Sequence, residues 1–334
     1  MTSPPAAGRG GGRRGAWLRV GSWALFGALV AVAATVLYER RAAVGEAGGL
    51  PGLAPSLLAV AVYFTANALL AWNWSAIVAV AGPRLPFRTA LWVWSVSQIS
   101  RYTVTLAQVG SRAVVGRRYG VPATAGVLST VLELTWMLMV TSTIVIVTVP
   151  WWLPLAGDAR WVMAAAALPA AGIVAAVAHP EAMLRAVDAL ARRPLVDRVT
   201  GGRFAGIATR VGVDRPTMWR FVARYGTNTL LRHTAFLTLF AAVGGDLRTH
   251  ALTAVGTYAL GSLAGTLAVF APGGLGVREG IIAVALAPVI GGAQALLLSA
   301  AVRLLELVAE LSLLGVARLA RGEAAPVGEG RPAG

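Results

Sequence analysis

Long apolar runs recur along this chain at about 20–38, 56–80, 122–149, 160–178, 226–243, 251–270 and 293–318, and few charges interrupt them. No other feature restricts the fold as tightly. Lipid offers no water to backbone N–H and C=O groups, so a segment inside it closes its hydrogen bonds internally, as a helix does. The run at 20–38 would rise about 28 Å, close to the hydrocarbon thickness of a bilayer. The rest of the chain cannot clothe a water-soluble globule: 57% is hydrophobic and 13% is charged, against roughly 25% charged in soluble domains. The expected fold class is an all-α polytopic membrane protein.

The 29 basic residues are all Arg, and 14 acidic residues leave a formal charge of +15. The arginines flank apolar runs rather than forming a nucleic-acid stripe, so they set topology by the positive-inside rule. Arg9, Arg13 and Arg14 place a disordered tail at 1–16 inside the cell. Arg84 and Arg88 place the loop at 81–89 inside, and Arg112, Arg117 and Arg118 do the same for 112–118. The polar stretch between them, 90–110, therefore enters and leaves on one face and reads as a re-entrant hairpin. Nine arginines make 179–224 a basic cytoplasmic loop, and its pattern at 181–191 suits an interfacial helix. That loop is too small for an independent core. A single membrane domain at 17–320 with a cytoplasmic tail at 321–334 follows. With the short run at 279–290 included, the count is eight transmembrane helices plus one re-entrant segment. Cysteine is absent, and no metal or cofactor site is expected.

Charged groups inside the spans cost several kcal/mol unless paired or hydrated, so they mark candidate sites. Ser299, Arg303, Glu306 and Glu310 share one stripe of the last helix. Arg303 and Glu306 are expected to pair within that helix, leaving Glu310 to find another partner. Glu133 lies mid-span and needs an arginine, with Arg101, Arg112 and Arg303 as candidates. Arg220, Arg224, Asn228 and Arg232 form an i, i+4 ladder from the interface inward. His233 is expected to make a backbone contact.

The densest cluster is Phe270-Ala-Pro-Gly-Gly-Leu-Gly-Val-Arg-Glu-Gly280. Pro272 ends the preceding helix. Gly273, Gly274 and Gly276 permit left-handed angles and close approach to a ligand. Arg278 adds a phosphate-matching fork near the start of the next helix, where anions bind. Glu279 is expected to cap that helix or pair with Arg278. An echo stands in the first half: Gly110-Ser-Arg112 repeats the spacing of Gly276-Val-Arg278, as an internal repeat would.

Pro272-Gly-Gly-Leu-Gly-Val-Arg-Glu-Gly280 followed by Arg303 resembles the flippase-like membrane family named for the transmembrane region of lysylphosphatidylglycerol synthase. Ser100-Arg101-Tyr102 to Gly110-Ser-Arg112, then Tyr119-Gly-Val-Pro-Ala and Glu133, is similar to its other typical region. The resemblance spans roughly 20–320. It departs at Thr103-Val104-Thr105, where the family usually has Pro-Gly. It implies a polytopic protein that handles lipids, some members moving charged or glycosylated lipids between leaflets. Aminoacyl transfer is not expected, because no soluble transferase domain follows the last helix.

The leading expectation is translocation of an anionic or phosphate-bearing lipid by a multi-pass cell-membrane protein with both termini cytoplasmic. Arg101, Gln108, Arg112, Glu133, Arg232, Pro272, Gly273, Gly274, Gly276, Arg278, Glu279, Arg303 and Glu306 are the candidate substrate-binding residues. Membrane lipids are the expected partners, with a synthase or a second copy of the chain as further ones. The alternatives are an accessory subunit of an envelope-building enzyme and a membrane-embedded transferase acting on lipid carriers. The transferase would have to draw on Glu39, Glu46, Asp158, Asp246 and His250, which lack metal spacing.

Overall fold

The computed structural model describes residues 51–102, 107–152, 171–176, 178–192, 214–268 and 271–320. The expected tails, the run at 20–38, most of 160–178 and the centre of the basic loop lie outside the described residues. Within them all regular structure is helical. The helices are α1 (Leu53–Ala81), α2 (Phe87–Ser100), α3 (Ala107–Arg117), α4 (Ala123–Trp152), α5 (Pro180–Ala191), α6 (Arg215–Ala242), α7 (Leu247–Leu267), α8 (Val277–Ile290) and α9 (Gly292–Ala320), with a 3-10 turn at Pro272–Gly274 before α8. Leu53–Val80 and Ala125–Trp151 are long and apolar enough to cross a membrane.

Caps fix two starts that hydropathy misses. The apolar run at 226–243 belongs to a helix that begins at Arg215, because Asp214 accepts a hydrogen bond from the Thr217 N–H at 3.0 Å and Pro216 presets the first turn. Asp246 does the same for α7 through the Arg248 N–H at 2.9 Å.

Lateral contacts give the helix directions. Asn228 of α6 donates to the Ala66 carbonyl of α1 at 2.7 Å, and Arg224 stacks on Trp72, so α1 and α6 are antiparallel. Leu298 and Val302 of α9 share a cluster with Ala59 and Tyr63, and Leu313 and Ala317 share another with Trp74 and Val78. Hence α9 runs parallel to α1. A Cβ on Gly82 would lie 3.3 Å from Ala125, so the connections before α2 and after α3 meet at one end of the bundle. Thr253 of α7 donates to the Trp151 carbonyl at the other end.

Helices α2 and α3 therefore form a hairpin that enters and leaves by one end, as the arginine positions of 81–89 and 112–118 require. Helices α7 and α8 form a second hairpin from the opposite end, with Gly261 and Gly265 packed on Arg278 and Gly274. The short run at 279–290, included in the eight-crossing count, is α8. The 14 residues of α8 rise only about 21 Å, short of a bilayer of about 30 Å. Pro272 and the positive φ of Gly273, Gly274 and Gly276 turn the chain inside the bundle instead.

The result is two units of inverted direction, α1–α4 and α6–α9. Each is a long helix, a hairpin and a second long helix. The packing repeats as well: α1 lies against α6, α7 against α4, and α2 against α9.

Candidate functional site

Both hairpin tips arrive at the middle of α9, and the charged stripe of that helix receives them. Glu306 is buried, with 2% of its side chain exposed. Arg278 at the start of α8 grips it bidentately, Nη1 to Oε2 at 2.7 Å and Nη2 to Oε1 at 2.8 Å. Tyr258 of α7 donates its hydroxyl to Oε1 at 2.8 Å, and its ring lies 4.7 Å under the Arg278 guanidinium. Arg232 of α6 approaches Oε1 at 3.4 Å and donates a second N–H to Asn67 of α1. Three helices thus converge on one carboxylate of a fourth, and α1 joins them through Arg232.

One turn further along, Glu310 accepts from Arg101 and, at 3.0 Å, from Tyr102, both at the tip of the first hairpin. Arg303 reaches the second tip, donating to the Gly273 carbonyl at 2.9 Å and lying 3.5 Å from Glu279. Its guanidinium sits 5.1 Å from the Tyr102 ring centre. Glu279 caps α8 by accepting from the Gly276 N–H at 2.8 Å. The expected Arg303–Glu306 pair does not form, nor does Arg278–Glu279. Helical spacing permits the first but not the second, whose residues are adjacent and point apart; bidentate geometry across helices is the stronger interaction, and each glutamate takes an arginine from another element.

Arg101, Arg232, Arg278 and Arg303 face Glu279, Glu306 and Glu310, an excess of one positive charge. Among the described residues, the Nε–H donors of Arg101, Arg232 and Arg278 are buried without a hydrogen-bond partner. Unmatched buried donors are rare and costly, and guanidinium edges match phosphate oxygens. The centre has both spare charge and spare donors for an anion.

Arg112 and Glu133 meet elsewhere. Arg112 donates bidentately to Glu133 at 2.7 and 2.9 Å and through Nε to Ser97, between the faces of Trp74 and Trp94. The Arg112 side chain is 0% exposed, and every one of its nitrogens is satisfied inside the unit. By position this pair is the counterpart of Arg278–Glu306: each joins the returning arm of a hairpin to the next long helix. Gln108, in the first turn of α3, is half-buried, and no hydrogen bond joins it to either ion cluster. Along the α6 ladder, Asn228 is spent on α1, Arg224 on Trp72, and Arg232 alone enters the centre. His233 contacts the Thr229 carbonyl at 2.8 Å.

Asn67 and Tyr258 complete the centre and were not singled out from the sequence. Their signal was weak but present: uncharged polar groups inside apolar runs.

A family model described as "Lysylphosphatidylglycerol synthase TM region" matches residues 47–313. No curated protein and no solved structure matches the chain.

Proposed function

This chain belongs to the lysylphosphatidylglycerol synthase transmembrane-region family of membrane proteins, and from that premise we propose that it moves a phosphate-bearing lipid between leaflets through the Arg278–Glu306 centre. One observation carries the reading. Two hairpins entering from opposite ends bring their tips to the middle of one helix, where three buried guanidinium Nε–H donors lack partners among the described residues. Secondary transporters commonly bind substrate at the midplane between inverted repeats, on broken helices.

In this reading the headgroup phosphate takes the free edges of Arg278, Arg232 and Arg101. Glu306 and Glu310 hold those side chains in place between visits, and keep the empty centre close to neutral. Tyr258 and Tyr102 steer the carboxylates. The acyl chains stay in the bilayer, so only the headgroup crosses. Rocking of one unit against the other opens the centre first to one face and then to the other.

Arg84, Arg88, Arg117, Arg118, Arg215, Arg220 and Arg318 gather at the end where α2, α6 and α9 begin or finish. The positive-inside rule makes that end cytoplasmic, in keeping with a cytoplasmic C-terminus.

The test is leaflet exchange of a fluorescent short-chain phosphatidylglycerol in vesicles reconstituted with the full chain. Wild type should accelerate exchange over protein-free vesicles, and Arg278→Met with Glu306→Leu should abolish the gain. Equal rates with wild type and without protein, across several anionic lipids, would overturn the reading.

A further inference from the structure

We propose a second lipid site on the outer face of α1, where one anionic phospholipid lays an acyl chain in a groove and sets its phosphate on Arg224. The groove has a volume of about 420 Å³ and is lined by Thr65, Ala68, Leu69, Trp72 and Phe87. That volume lies within the range of small-molecule pockets, about 300–1,000 Å³. Its walls are almost wholly apolar, which suits a hydrocarbon chain and gives no purchase to a polar solute.

Charge at one wall selects the headgroup. The Arg224 guanidinium lies 4.1 Å from the centre of the Trp72 ring. Stacking spends the face of the guanidinium and leaves its N–H edge available, and that edge is the part that binds phosphate bidentately. Among the described residues Arg224 has no acidic partner. Arg220, one turn nearer the basic end, bonds to Pro216 and Thr217 of its own helix and is drawn to the Asp214 carboxylate at the helix start. An arginine without a carboxylate partner therefore stands beside an apolar groove, which is the pattern of a phospholipid with net negative charge.

The site differs from the central one. Arg232, which belongs to the centre, lies two turns further along α6 and faces Glu306 and Asn67. Occupancy of the groove requires no translocation, so it stands whether or not the transport reading holds.

Photo-crosslinking decides it. The full chain in detergent is irradiated with a photoactivatable phosphatidylglycerol or a matched phosphatidylcholine, and the labelled peptides are mapped. Phosphatidylglycerol should label residues 65–72 and Phe87 more strongly than phosphatidylcholine does. Arg224→Gln should lower that labelling about tenfold, the loss of one charge-assisted hydrogen bond. Leu69→Trp fills the groove and should remove the label with Arg224 still present. Both positions face outward, and an unchanged elution volume and helix content check the fold. Equal labelling by the two lipids, or wild-type labelling in both variants, would overturn the proposal. Labelling without leaflet exchange would keep this site and sink the transport reading instead.

Discussion

Tyr102 and Gly273 touch across the middle of the bundle, each at the tip of a hairpin that enters from the opposite end. A Cβ on Gly273 would stand 3.1 Å from Tyr102 Cδ1 and 3.1 Å from Arg303 Nη2, at a φ of +59°. The contact joins the two inverted units at the one level where both chains break. Gly273→Ala should therefore cost more than strain. Left-handed backbone costs a non-glycine residue roughly 1–2 kcal/mol, and here the methyl also separates the tips. Gly276→Ala is the control, since it has a φ of +82° and nothing within 4 Å. Thermal unfolding in detergent should fall for both, with the larger loss and the larger drop in leaflet exchange for Gly273→Ala.

Glu306 sets the charge of the centre. Glu306→Ala leaves Arg278 and Arg232 facing each other without their carboxylate, and breaking a buried pair costs about 3–5 kcal/mol. Replacing Arg278 by Met together with Glu306→Leu should recover part of that stability, because the desolvation cost of that pair goes too, while Arg232 keeps Asn67 as its partner. Leaflet exchange should stay lost in the double variant. Recovery of exchange along with stability would make the pair a packing device.

Much of this was legible from the sequence, for reasons that differ by residue. The arginines at 84, 88, 117 and 118 marked the first hairpin because topology follows charge. Pro272 and its glycines marked the second break, but the length of the run at 279–290 concealed that it turns back inside the bundle. The partner exchange of Arg303 and Glu306 was not legible. Spacings of three and four residues state only that an in-helix contact is possible. Which arginine wins depends on where α8 begins against α9, and the tight packing of Gly261 and Gly265 on Arg278 and Gly274 seats that start on α7. Asn67 and Tyr258 escaped notice because uncharged polar groups are common in spans, and only convergence on Glu306 gives them meaning.

Arg112 and Glu133 repeat the Arg278–Glu306 arrangement in the other unit. If the units rock, this pair changes its surroundings in each cycle, although it is sealed in the present state. Arg112→Met with Glu133→Leu should keep the fold and alter the exchange rate, while either single substitution should destabilise by about 3–5 kcal/mol. A double variant with wild-type exchange would confine this pair to packing. Thermal unfolding and vesicle exchange on the same preparations read both quantities.

The caps of α6 and α7 carry a pH dependence of known sign. Hydrogen bonds from Thr217 hold the Asp214 carboxyl below its usual range, and those from Thr249 and Arg248 do the same for Asp246. A depressed folded pKa contributes stability that is present above the unfolded value of about 3.9 and lost as pH falls through the folded one. The protection of the Thr217 and Arg248 amides, taken against intrinsic exchange at each pH, should therefore fall on acidification in wild type. With Asp214→Asn and Asp246→Asn that protection should not change with pH, because an amide still caps but no longer titrates.

Glu279 offers the sharpest handle on selectivity. Four arginines against three glutamates leave the centre with one surplus positive charge, which matches a phosphodiester carrying one negative charge. Glu279→Gln raises the surplus to two and keeps an oxygen for the Gly276 N–H it now caps at 2.8 Å. It also releases Arg303 from its ion pair with Glu279, 3.5 Å away. Binding should then shift from diester toward monoester lipids, which carry close to two charges at neutral pH. Competition between phosphatidylglycerol and phosphatidic acid, measured on the same vesicles, should move toward phosphatidic acid by several-fold. An unchanged ratio would mean that the headgroup phosphate does not share the arginines with Glu279, and would place it nearer Arg101 and Glu310.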